Sequence, residues 1–238
     1  MYSPEFNELI NHPAWANEFV GYGNPDADIL IIGQEAACAE GNGDWEKFYQ
    51  HNREQWEETL EKLYFAKGFD GIGEYRFPEY FNPSFPFKWQ TASPKKGDGL
   101  SGSTWYWYQR LMNELYPDLG IASAGCINFF EKAFITELNG QTRVNQKVKL
   151  DDLVGNIRHR FDIMRLTSPF WSHFKVVLFL CGPYAKAINI KQFPSDKSKE
   201  LYSSIFGEAV PFYYSQFSGR TNPMKFIREE AHNIKNEL

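Results

Sequence analysis

The stretch Gly21 to Ala37, GYGNPDADILIIGQEAA, constrains the fold of this chain more than any other part of it. Ile29 to Ile32 form a continuous apolar run rich in β-branched residues. Such a run reads as a strand buried on both faces, the usual situation in parallel sheets covered by helices. Gly33 ends the run with a turn that lets backbone approach a ligand closely. Open α/β sheets bind their ligands in the crevice outside the carboxyl ends of the strands. Gln34 and Glu35 are therefore expected to project into that crevice.

Further apolar runs extend the pattern. Phe174 to Gly182 (FKVVLFLCG) is the best strand after the first, and Ala133 to Leu138 (AFITEL) and Ala209 to Tyr214 (AVPFYY) complete a set of four. Between them, Trp45, Phe48, Tyr49, Trp56, Leu60 and Leu63 recur at near-helical spacing, with Gly68 as a stop. A helix is predicted from about Ser103, a candidate cap, through Trp105 to Leu115 before Pro117. Another runs from about Asp151 to Arg165, opened by an acidic pair that suits a helix N-terminus. Pro183 to Ile188 starts a third, and Asn222 with Pro223 opens a terminal helix reaching about Asn236. Strands alternating with helices predict an α/β three-layer sandwich around a mainly parallel four-stranded sheet.

Length and composition suit one domain over residues 1–238, with a long aromatic- and Pro-rich insertion at about 40–100. Residues 69–99 show neither period and read as a long loop of the kind that carries function. Aromatic residues make up 17% of the chain, more than packing alone usually takes, so some are expected to line a groove. The net charge of -5 argues against a non-specific nucleic-acid coat but not against a local groove. Lys186, Lys191, Lys197, Lys199, Arg220, Lys225 and Arg228 place any phosphate-facing surface on the C-terminal half. Cys38, Cys126 and Cys181 have no metal-ligand spacing, and the N-terminal residues have no signal-peptide pattern, so a reduced, cytoplasmic setting without a membrane span is expected. His12, His51, His159, His173 and His232 lack metal spacing and read as structural. No Gly-x-Ser-x-Gly elbow and no phosphate-binding Gly-Lys-Ser/Thr loop occurs, which leaves acyl transfer and nucleoside-triphosphate hydrolysis without support.

Gly21, Gly23, Asn24, Pro25 and Ala27, followed by Gly33, Gln34, Glu35, Ala36 and Ala37, resemble the first motif of the uracil-DNA glycosylase superfamily and the residues leading into it. Near the end, QFSGRTNP resembles that superfamily's last motif, with Gln216 at the histidine position and Ser218, Gly219, Arg220, Asn222 and Pro223 following. The resemblance spans most of the chain in order, with its motif letters partly kept. It implies four parallel strands with helical crossovers and a metal-free glycosylase working on a flipped base in DNA. The four-cysteine iron-sulfur site of some members is not expected with three cysteines.

Base release passes through an oxocarbenium-like sugar and a departing base anion. A site for it needs negative charge near C1′, a placed water and donors to the base oxygen. The resemblance gives Glu35 the water-positioning role, one methylene longer than the aspartate of the motif. Gly33, Gln34 and Ala36 form the base-holding turn, Gln34 through its backbone N–H. Leu100, in Gly97 to Gly102, stands at the base-stacking position; alternatively Phe85, Phe87 or Trp89 does the stacking. Glu137 stands where the superfamily reads the base with Asn, and Asn139 lies two residues on, on the same face of a continuing strand. An ionised Glu only accepts hydrogen bonds, so it favours a base edge rich in donors unless it is protonated. Gln216 donates a neutral hydrogen bond in place of the histidine, while Ser218, Gly219 and Arg220 suit the DNA backbone.

These residues lead to a DNA glycosylase-like protein with no cofactor, whose partner is single- or double-stranded DNA carrying a modified base. Two alternatives stand beside it: a non-catalytic base-binding module of the same fold, and a hydrolase of free nucleosides or modified nucleotides.

Overall fold

The computed structural model describes residues 2–34, 51–61, 83–84, 103–119, 127–140, 152–182, 184, 202–207, 212–214, 223–236 and 238. Its centre is a five-stranded sheet in the order β1-β3-β2-β4-β5. The strands are β1 (Tyr22–Gly23), β2 (Ile29–Gly33), β3 (Ala133–Glu137), β4 (Val176–Phe179) and β5 (Phe212–Tyr214). β2 pairs in parallel with β3 on one side and β4 on the other, and β5 adds in parallel to β4.

The sheet is mixed, which corrects the expected mainly parallel four-stranded arrangement. β1 runs antiparallel to β3, with Tyr22 opposite Ile135 and Gly23 opposite Phe134. Two residues carry no readable period, and the strand depends on one glycine before it and one within it. Gly21 and Gly23 have φ of +146° and +96°, and a Cβ on either would collide with a β3 backbone carbonyl. The outer side of this segment is occupied as well. Asn52 Oδ1 accepts from the Val20 and Gly21 N–H groups (3.0 and 2.9 Å), while Asn52 Nδ2 and Trp56 Nε1 donate to the Gly21 carbonyl (3.0 and 2.8 Å). The Gly23 N–H donates to the Pro83 carbonyl at 2.9 Å.

The helices are α1 (Pro4–Asn11), α2 (Asn52–Glu61), α3 (Ser103–Leu115), α4 (Leu153–Leu166), α5 (Ser168–Trp171) and α6 (Pro223–Lys235). Ser3 caps α1 by accepting from the Phe6 N–H, and Pro4 opens its first turn. α4 is capped by Asp152, which accepts from the Gly155 N–H at 3.1 Å. α3 begins at Ser103 itself, so that residue stands inside the helix rather than before it. Of the helix expected from Trp45 to Leu63, the described part is α2.

Strand alternation divides the interior in two. Leu30, Ile32, Phe134, Val177 and Phe179 face a cluster with Phe6, Trp15, Trp56, Phe161, Phe170, Trp171 and Phe174 from α1, α2, α4, α5 and their connections. Ile29, Ile31, Ala133, Ile135, Val176 and Leu178 face a second cluster with Tyr108, Met112, Phe129, Ile227 and Ile234, supplied largely by α3 and α6. Helices thus cover both faces. Much of the aromatic content is core: Phe134 alone lies within 6.3 Å, centroid to centroid, of Phe6, Trp56, Phe170, Trp171 and Phe174. Pairs of this kind add about 0.5–1.5 kcal/mol each beyond the area they bury.

Candidate functional site at the strand ends

From β2 the chain moves to β3 on one side, and later to β4 on the other side of β2. Between β2 and β4 the direction of winding reverses, and the carboxyl ends of the strands at such a point are where open α/β sheets place their ligands. Four of the sequence-predicted residues are described, Gly33, Gln34, Glu137 and Asn139, and all lie at this edge. Glu35, Ala36, Leu100, Gln216, Ser218, Gly219 and Arg220 lie outside the described residues.

Gly33 and Glu137 are register partners across the β2–β3 pair. The Glu137 carboxylate occupies the space above Gly33, so that a Cβ on Gly33 would collide with it. This glycine is needed as a seat for a neighbour's side chain, which goes beyond the turn role expected from sequence. One carboxylate oxygen is buried in that seat, while the residue as a whole is half-buried.

Gln34 continues from Gly33 and turns its side chain toward the end of β4. Its Nε2 donates to the carbonyl of Cys181, just beyond β4, at 2.8 Å. Gly182, with φ of +52°, gives this amide its space, since a Cβ there would collide with Nε2. The Gln34 carbonyl accepts from the Asn139 N–H at 2.9 Å, and the Gly33 carbonyl accepts from the Leu138 N–H at 3.1 Å. β3 ends at Glu137, so the strand alternation that would align Asn139 with Glu137 stops there, and Asn139 is buried just beyond it.

No family model, curated protein or solved structure matches the chain. The site therefore stands on its own geometry and on the motif letters.

A second set of contacts braces β3 from behind. Arg160 of α4 is buried, and its Nε donates to the Glu137 carbonyl at 3.1 Å. Arg160 also donates to the Thr136 hydroxyl at 2.7 Å and to the Phe19 carbonyl, and it lies 3.6 Å from the Glu18 carboxylate. The guanidinium sits 4.5 Å from the Trp15 ring centroid. The Thr136 hydroxyl donates in turn to the Val20 carbonyl at 2.9 Å. The backbone bearing Glu137 is therefore held by a fork of fixed geometry.

Electrostatics around the carboxylate run in one direction. Burial, then the Glu137 charge, pushes the Tyr22 and Tyr108 hydroxyls well above the usual tyrosine range. Burial is also the main cause that pushes the Cys181 thiol up to about 12, with Glu137 adding to it against a lowering backbone hydrogen bond. All three groups stay protonated near neutral pH. Among the described residues, no group of three His, Cys, Asp or Glu side chains could hold a metal ion, and no helix is long and apolar enough to cross a membrane.

Cys181, Gly182, Tyr22, Tyr108 and Arg160 were not singled out from sequence as site residues. The one signal for part of this group was a second glycine closing an apolar strand, Gly182 after Phe174 to Cys181, which parallels Gly33 after Ile29 to Ile32.

Proposed function

We propose that this chain is a DNA glycosylase-like protein of the uracil-DNA glycosylase superfamily, acting in base repair in the cytoplasm on a base flipped out of DNA. The reading is supported above all by the register of Gly33 with Glu137. The end of the first-motif strand and the position that the resemblance assigns to base reading lie side by side at the carboxyl ends of β2 and β3. The motif order along the chain supports it further.

In this reading a water oxygen bonds to C1′ as the N-glycosidic bond breaks, and the bonding pair leaves with the base. Glu35 places that water and takes its proton. Gln216 and the Gln34 turn hold the base, Leu100 lies against it, and Ser218, Gly219 and Arg220 grip the backbone. No cofactor takes part in the proposed steps.

The test is abasic-site formation on single- and double-stranded oligonucleotides carrying uracil, hypoxanthine, xanthine, oxidised pyrimidines or oxidised guanine. Glu35→Gln should lower cleavage by about 10²-fold or more, with binding to abasic DNA unchanged, because the loss falls in the transition state. No cleavage of any of these by the unaltered protein would leave a non-catalytic base-binding module.

A further inference from the structure

We draw no further inference here: the strongest candidate, the cluster of Glu18, His159 and the buried Arg160 behind the carboxyl end of β3, is taken up by the brace already described, and nothing among the described residues points to a ligand for it.

Discussion

Thr136 and Glu137 are neighbours in β3, yet their side chains serve opposite halves of the molecule. Thr136 faces the side of α4, where Arg160 binds its hydroxyl and the Phe19 and Glu137 carbonyls beneath the Trp15 ring. The buried Arg160 charge is held there by fixed partners within the protein. Glu137 faces the other way, with its carboxylate over a glycine and half-buried at the strand ends. The first side chain belongs to a scaffold, and the second to the proposed site beside it. A one-residue step along a strand is enough to separate the two roles.

The largest expected effect tests the scaffold side. Arg160→Ala removes a buried guanidinium and strands several acceptors, and it should cost about 3–5 kcal/mol in urea unfolding. Arg160→Lys should rescue little, because an ammonium cannot reproduce the fork. A loss below about 1 kcal/mol would mean that Arg160 is ornamental, and the contrast between the faces would collapse.

Alkaline titration reads the other side. Cys181 is pushed from the usual 9.0 up to about 12, mainly by burial. The unfolded thiol therefore releases its proton first as pH rises. The stability due to the protonated, buried thiol is complete below about pH 9 and is lost progressively between about pH 9 and 12. The raised Tyr22 and Tyr108 hydroxyls steepen the same limb. Cys181→Ala should flatten it, as followed by denaturant midpoints against pH. An unchanged slope would remove Cys181 from the account.

Gly33→Ala should act on the Glu137 side alone. The group it meets is the end of a side chain, so the carboxylate should be displaced at a stability cost of about 1 kcal/mol or less, as followed by urea unfolding. Adding Glu137→Ala should erase the stability cost of the methyl group. That coupling, read from a double-mutant cycle, is expected because the two residues share one space. The smallest effect belongs to His159→Gln. His159 is 62% exposed and pairs with Glu18 at 3.0 Å, so its loss should stay within about 0.5 kcal/mol by thermal melting.

The strands were readable because burial on both faces leaves unbroken apolar runs, as in Ile29 to Ile32 and Val176 to Phe179. α4 and α6 were readable from their opening residues, Asp152 and Pro223. β1 was not, because two residues have no period and its pairing depends on what β3 can approach. At the site, the motif letters brought Gly33, Gln34 and Glu137 to attention. Their roles changed in part with three-dimensional neighbours. Gln34 was valued for its backbone N–H, but its side chain reaches Cys181, 147 residues away. Arg160 had no local signature at all, since a lone arginine in a helix reads as a solvated charge until the fold buries it.

Asn52 holds the outer margin of the sheet in a manner that bears on solubility and assembly. Its amide, with Trp56 and the Pro83 carbonyl, engages the Val20, Gly21 and Gly23 backbone groups that β1 would otherwise present outward. Exposed margins of this kind recruit strands from other molecules and seed aggregates. A chain arriving beside β1 would find those donors and acceptors already engaged, and would have to expel Asn52 before it could add a strand.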